Sequence, residues 1–256
     1  MLSVIVLTIM PEAKLKVKLL AVTPQALDVI YSAFRQCYSP RYAADILREK
    51  ISQSAKEKFV RRVLSSGHES PLEHVSFTFS VAGISRVLTH QLVRHRIASF
   101  SQQSQRYVKA EKFSYIVPPL IRKYAYLGRK FSKIMRLLSQ EYKEIISFLE
   151  SQGVKGEAAN QDVRFILPQA AETKIVVTMN CRELLHFFEL RCCTRAQWEI
   201  RALAYRMLAI CKRELPAVFA TAGPKCVKLG YCPEGKFSCG RYPRREDIIR
   251  GHKSKR

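Results

Sequence analysis

Val75-Ser-Phe-Thr-Phe-Ser-Val81 alternates apolar and hydroxyl side chains without a break. A period of two puts Val75, Phe77, Phe79 and Val81 on one face and the Ser and Thr residues on the other, the pattern of a strand buried on one side. Gly83 is expected to end it. From Ile84 to about His95 the apolar residues fall at positions 84, 87, 88, 92 and 93, a helical stripe. A strand thus runs into a helix, yet the chain never settles into a repeating strand–helix–strand rhythm. That pattern predicts an α+β fold rather than a wound parallel sheet.

Upstream, Lys16–Val22 alternates as another strand, and Thr23-Pro24 supplies an N-cap and an N1 proline for a helix over Ala26–Phe34. Ser39-Pro40 repeats that start signal. Ser54-Ala-Lys-Glu57 reads as a capping box opening a helix with Phe59, Val60, Val63 and Leu64 on one face and Gly67 at its end. Ser70-Pro71-Leu72-Glu73 is a similar box for a single turn. Downstream, Phe113–Leu120 reads as a strand ending in Pro118-Pro119, and Tyr126–Gln152 as a long amphipathic helix stopped by Gly153. Lys174–Met179 is a β-branched strand. Asn180–Leu215 is helical, with a break at the capping box Thr194-Arg-Ala-Gln197. Met1–Met10 is apolar but short, with no basic residue ahead of it, and reads as a strand or a ragged start rather than a signal peptide. No apolar stretch approaches the roughly 20 residues that span a bilayer.

The 256 residues carry 44 Lys and Arg against 21 Asp and Glu, a net charge of +23. Such an excess favours polyanionic partners: nucleic acid, acidic membranes or phosphorylated small molecules. The basic run Arg241–Arg256 alone would suit a nucleic-acid-binding protein, but no RNP, KH or zinc-finger pattern accompanies it. Of eight cysteines, Cys37, Cys181, Cys192, Cys193 and Cys211 lie in periodic segments as small core or site-lining residues. The vicinal pair Cys192-Cys193 makes a poor structural disulfide, and a reducing cytoplasm is the expected location.

The chemistry concentrates in Arg94-His-Arg-Ile-Ala-Ser-Phe-Ser-Gln-Gln-Ser-Gln-Arg-Tyr107. Three cationic or titratable side chains stand together at the end of the predicted helix, followed by a hydroxyl-rich loop and one more arginine. Unpaired charge of this kind is costly in a core. Arg forks and Ser hydroxyls suit phosphate oxygens. Gln91 shares a helical face with Arg94 and His95. A second polar run, Asn180-Cys-Arg-Glu-Leu-Leu-His-Phe-Phe-Glu-Leu-Arg191, puts Arg182 and His186 on one face. His68-Glu-Ser-Pro-Leu-Glu-His74 has the composition of a zinc site. Pro71, however, stands where an HExxH helix would have to run, and no metal is expected there. No Gly-x-Gly-x-x-Gly fingerprint exists, so a dinucleotide would be held by side chains rather than by a Rossmann turn.

An Arg-His-Arg triplet, seven residues and then Ser104 resembles the signature of the flavin-dependent thymidylate synthases. Gly-His-Glu-Ser-Pro-Leu-Glu-His at 67–74, Arg164-Phe-Ile-Leu-Pro168 and Asn180–Arg201 match that family in the same order, so the resemblance runs from about Lys16 to Arg201 and on toward Leu215. Two positions depart from it: Gln102, where some relatives carry Glu, and Arg195, where some carry His. The resemblance implies a single domain over 16–222, with a mixed or antiparallel sheet flanked by long helices. It leaves 1–15 as an extension and 223–256 as a basic, Cys-containing tail. It implies conversion of dUMP to dTMP, with methylenetetrahydrofolate as carbon donor and NADPH reducing FAD. It also implies a homotetramer with sites at subunit interfaces. Carried over residue by residue, Gln91, Arg94, Gln102, Gln103, Ser104, Gln105, Arg106, Arg164 and Arg191 bind dUMP. Ser70, Arg94, His95, Arg96, Gln102, Asn180, Arg182 and His186 contact FAD. Arg191 is the catalytic residue, its guanidinium stabilising negative charge on the uracil ring. An enzyme methylating uracil in RNA by the same cofactors is the alternative. Nucleic acid is not the expected partner.

The tail lacks periodicity and is expected to be loosely ordered. Its Cys226, Cys232 and Cys239 form Cys-x5-Cys-x6-Cys among Gly and Pro residues, with Cys211 as a conceivable fourth ligand. The gaps exceed the two to four residues usual in zinc sites. They are read as free thiols, and no metal is expected.

Overall fold

The computed structural model describes residues 11–253, so the reading of Met1–Met10 lies outside the described residues. In chain order the elements are β1 (Lys16–Val22), α1 (Ala26–Gln36), α2 (Ala43–Leu47), α3 (Gln53–Ser65), β2 (Ser76–Ser85), α4 (Arg86–Leu92), β3 (Ala98–Gln102), α5 (Pro119–Lys123), α6 (Ala125–Ser151), α7 (Glu157–Val163), β4 (Glu172–Asn180), α8 (Cys181–Arg191), α9 (Trp198–Glu214), α10 (Pro216–Phe219), α11 (Lys225–Leu229) and α12 (Arg245–Lys253). Short 3-10 turns lie at Ser70–His74, Arg164–Ile166 and Gly235–Phe237. The four strands form one antiparallel sheet in the order β1-β2-β4-β3, which makes the fold α+β as the pattern predicts. The described residues divide into two compact units, one of 11–16 with Val81–Gln91 and Ser101–Val176, the other of Val17–Ser80, Leu92–Phe100 and 177–253.

In the first unit, α6 packs Met135 against Phe113, Tyr115 and Ala171, and packs Tyr142 and Ile146 against Ala159 and Val163 of α7. The core of the second unit is aromatic. Phe77 meets Phe219 edge-on at 5.8 Å, Phe219 meets Phe188 at 6.0 Å, and Phe188 meets Phe187 at 5.7 Å. Burying such rings dominates core energetics, and edge-on geometry adds to it. This cluster holds α8 by its Phe187 and Phe188 face and leaves Arg182 and His186 exposed on the other.

The strand at Val75–Val81 forms as the alternation predicts, with Val75, Phe77, Phe79 and Val81 fully buried. It does not stop at Gly83. Gly83 has φ +68°, and a Cβ there would collide with the backbone of Lys14. Its N–H donates to Glu172 Oε1 at 2.9 Å. The glycine thus serves close backbone approach, and β2 continues to Ser85, which shortens the helix after it. Gly83→Ala is expected to destabilise the protein by at least about 1–2 kcal/mol from the left-handed backbone alone, with the collision added. A denaturant midpoint unchanged from the parent would refute this role.

Several caps move from their predicted residues. The helix after Thr23 starts behind Gln25, in a left-handed conformation without a side-chain cap. Thr23 Oγ1 instead accepts from the Ser76 N–H at 2.9 Å. Ser52, not Ser54, caps α3. Gln197, not Thr194, caps α9, its Oε1 accepting from the N–H groups of Glu199 and Ile200. A side-chain amide can do the same work as Ser or Thr when it reaches the orphan donors. The predicted strand at Phe113–Leu120 reduces to isolated bridges of Tyr115 with Glu12 and with Ala171, because Pro118-Pro119 cannot donate to a ladder and Pro119 opens α5 instead. Conversely, Ala98–Gln102 is a strand where a loop is expected. Its half-buried Ala98, Phe100 and Gln102 alternate with exposed Ser99 and Ser101.

The tail is not loose. Lys228 of α11 pairs with Glu69 at 2.7 Å and with Glu189 at 3.7 Å. The Arg195 guanidinium lies 4.2 Å from the centre of the Phe237 ring. The Cys232 N–H donates to the Pro243 carbonyl at 2.8 Å. These contacts have long sequence separations and no periodicity, so a reading for amphipathic pattern passes over them.

Candidate active site

The second unit contains a cleft of about 700 Å³ lined by Arg94, His95, Arg96, Asn180, Arg182, Glu183, His186 and Arg191, together with Glu69, Glu73, Glu189 and Lys228. Two segments supply most of it: Arg94, His95 and Arg96 follow the last turn of α4, and Asn180 with α8 carries side chains from its first turn to its last, while Glu69 and Glu73 come from the turn before β2 and Lys228 from α11. Asn180 caps α8 by accepting from the Glu183 N–H at 2.8 Å. That bond fixes the first turn and the side chains that leave it.

At the floor stands a buried relay. His95 and Glu183 are 5% and 6% exposed, and His95 Nδ1 lies 2.8 Å from Glu183 Oε1. Arg191 Nε donates to His95 Nε2 at 3.1 Å. An acceptor at Nε2 requires that ring nitrogen to be unprotonated, so the proton sits on Nδ1 and is donated to Glu183. The electrostatics agree. Burial first, and the Arg191 charge after it, lower the His95 pKa, while the Glu183 hydrogen bond opposes them. The Arg191 pKa is likewise lowered, by burial and then by Arg94. An arginine nonetheless keeps its charge. Holding Arg191 by Nε leaves its two Nη groups without a protein partner among the described residues. Both ring nitrogens of His95 are used within the protein, which makes its imidazole a support for Arg191.

The carboxylates of the cleft are already engaged. Glu73 pairs with Arg182, Glu69 and Glu189 with Lys228, and Glu183 with His95. Arg94, Arg96 and Arg191 have no ion pair among the described residues. The cleft is therefore a preformed receptor for negative charge. Lys228, outside every motif singled out in the sequence, contributes to it by masking two acids. Its only signal in the sequence is its place in a basic tail.

The other predicted residues fall in different surroundings. Ser70, in the turn before β2, lies 3.2 Å from His68 Nε2. Gln91 is in the last turn of α4. Within the first unit, Gln103, Ser104 and Gln105 line a pocket of about 230 Å³ with Lys109, Lys112 and Lys174. Ser104 Oγ accepts from the Arg106 N–H at 3.2 Å, and no base is among its hydrogen-bond partners. Gln102 Nε2 donates to Thr89 and Thr173, each at 3.2 Å. Arg106 pairs with Glu157 and keeps a buried Nε without a partner. Arg164 is near enough to Arg86 to help burial lower the Arg86 pKa. Of the predicted residues, the structure gathers Arg94, His95, Arg96, Asn180, Arg182, His186 and Arg191 at one cleft, and Gln103 to Gln105 at one pocket.

A family model described as thymidylate synthase complementing protein matches residues 18–217. A flavin-dependent thymidylate synthase of Nitratidesulfovibrio vulgaris is 54% identical over 244 residues, covering 93% of this chain and 100% of that protein. One of Clostridium tetani is 50% identical over 234 residues, covering 88% and 93%. One of Geobacter sulfurreducens is 48% identical over 229 residues, covering 89% and 94%. Among solved structures, the UMP/dUMP methylase PolB of Streptomyces cacaoi, bound with 5-Br dUMP, aligns with a TM-score of 0.68 at 22% identity, covering 82% of this chain and 94% of that one. That likeness is one of fold.

Proposed function

The chain belongs to the flavin-dependent thymidylate synthase family, and on that premise we propose how its own residues divide the work of converting dUMP to dTMP. The cleft of the second unit holds FAD. Arg94, Arg96 and Arg182, with Asn180 and His186, face the flavin nucleotide, and Arg191 activates the uracil ring. The observation that carries this reading is the set of three cleft arginines, Arg94, Arg96 and Arg191, without a carboxylate of their own. A dinucleotide brings a pyrophosphate, and a sequence with no Gly-rich phosphate turn must meet it with side chains. The donor set therefore fits FAD.

When bound and reduced by NADPH, FAD supplies the hydride that completes the methyl group, whose carbon comes from methylenetetrahydrofolate. The protein orients and polarises. Arg191, anchored through Nε, presents its Nη fork to the O2–N3 edge of the pyrimidine. Negative charge placed there is stabilised, which raises electron density at the ring carbon that takes the methyl group. His95 and Glu183 hold that fork in place. Gln91, Gln102 to Arg106 and Arg164 belong to recognition of dUMP. The reading includes a homotetramer with sites at subunit interfaces. Support comes from α6, where Ile134, Leu137, Ile145 and Phe148 are exposed apolar residues recurring at helical spacing. Among the described residues no helix is long and apolar enough to cross a membrane, and the proposed location is cytoplasmic.

The double variant Arg94→Ala/Arg96→Ala tests the cofactor assignment. Each charge-assisted bond contributes about 1.5–3 kcal/mol, so the pair should weaken FAD by well over a hundredfold. The variant is expected to purify colourless, as read by flavin absorbance per chain. Full flavin content would remove FAD from this cleft.

A further inference from the structure

Four cysteines converge in the second unit around a cavity that Arg191 shares with the cleft. Cys193 lies in the link between α8 and α9, Cys226 in the first turn of α11, Cys232 just beyond that helix, and Cys239 in the following loop. All four are free, and all four line one cavity of about 260 Å³. Cys193, Cys232 and Cys239 each lie near enough to Cys226 for their charges to act on it. Cys192 also touches the cavity wall, but its thiol is buried and answers to Lys212. Cys211, the fourth ligand conceivable from sequence, is buried in α9 near Cys181 and is not one of the group.

We infer that Cys193, Cys226, Cys232 and Cys239 are the ligands of an iron–sulfur cluster. A cavity of about 260 Å³ bordered by four thiols has room for a polynuclear core, whereas among the described residues no three His, Cys, Asp or Glu side chains form a group that could hold one metal ion as they stand. Zinc would need its sulfurs drawn to about 2.3 Å from one point. A polynuclear core spans a wider gap and takes four Cys thiolates. The surroundings suit bound thiolates. Gly240, whose φ of +81° is one that glycine readily adopts, turns the chain back beside Cys239. Lys225, Arg195 and Arg241 line the same cavity and balance the negative charge. A cluster also accounts for the order of a tail with little apolar core of its own, because binding free energy becomes folding free energy. Cys193 follows Arg191 by two residues, so the centre fixes the end of the helix that carries the activating arginine.

The test is iron and acid-labile sulfide per chain in full-length protein purified anaerobically, with electron paramagnetic resonance after dithionite reduction. Iron and sulfide in equal amounts and a reducible signal are expected. Both should fall to background in Cys226→Ser and Cys239→Ser and stay unchanged in Cys37→Ser. Cys239 is exposed, so its variant should fold even where one at the buried Cys232 does not. One zinc per chain without sulfide, no metal at all, or iron and sulfide retained by both variants would each overturn the assignment.

Discussion

Arg191→Lys is expected to fold, to purify with FAD, and to lose turnover by about 10²–10³-fold, the scale set by removing one donor aimed at developing charge. Lysine keeps the positive charge and about the same reach. It lacks the planar fork that meets two ring atoms together, and it lacks a donor that can be anchored while others point at the substrate. In this protein the anchor is visible: Arg191 Nε is taken by His95 Nε2. A lysine ammonium bonded to His95 would have its single nitrogen committed at the cleft floor. The loss should fall on kcat more than on KM, because the interaction strengthens as charge develops on the ring. Near-native kcat would remove Arg191 from the activating role.

The second large effect lies one residue deeper. Glu183 touches no substrate in this account, yet Glu183→Leu leaves a buried His95 Nδ1–H without an acceptor, at a cost of about 1–3 kcal/mol. It also frees the imidazole to rotate, so Arg191 loses its fixed position. Misplacing a catalytic group by an ångström can cost on the order of 10²-fold in rate. Glu183→Gln keeps an acceptor and should recover most of that loss, which a merely structural role would not require. The pH dependence carries the same signature. Burial lowers the His95 pKa, with Arg191 and His186 acting in the same direction and Glu183 against them. The unfolded chain then binds more protons than the folded one below the ordinary histidine value of about 6.5. Stability from neutral His95 is thus complete above that value and is lost as pH falls toward the folded pKa. Turnover of the folded enzyme should fall at lower pH still, as pH passes through the lowered folded pKa itself, since a protonated Nε2 cannot accept from Arg191. His95→Gln can keep both hydrogen bonds without titrating, and it should flatten the acid limb. An acid limb unchanged in His95→Gln would assign the titration to another group.

Much of this was legible in the sequence because the signals were local. β1 forms over Lys16–Val22 as its alternation predicts, and α6 ends before Gly153 as its stop signal requires. The basic triplet and the Asn180–Arg191 segment were legible as chemistry for the same reason, since charge clusters that no core would tolerate stand out. What escaped depends on partners far along the chain. Gly83 reads as a strand breaker until the backbone of Lys14 is seen against it. The capping residues shifted because the choice among neighbouring Ser, Thr and Gln side chains is made by which one reaches a free N–H. His95 reads as a ligand-contacting residue, and its bond to Glu183, 88 positions away, is visible only in the fold. The tail cysteines read as free thiols with Cys211 as the conceivable fourth member, because Cys193, which lines the same cavity as they do, stands beyond two intervening helices.

The central claim is that one site joins dUMP, folate and reduced flavin in a reductive methylation. It is tested most directly by an anaerobic turnover assay with dUMP, methylenetetrahydrofolate and NADPH, each omitted in turn and dTMP measured. The account predicts dTMP in the complete mixture and none when any one component is left out. Formation of dTMP without NADPH under multiple turnover, or its absence from the complete mixture with flavin-loaded protein, would contradict it.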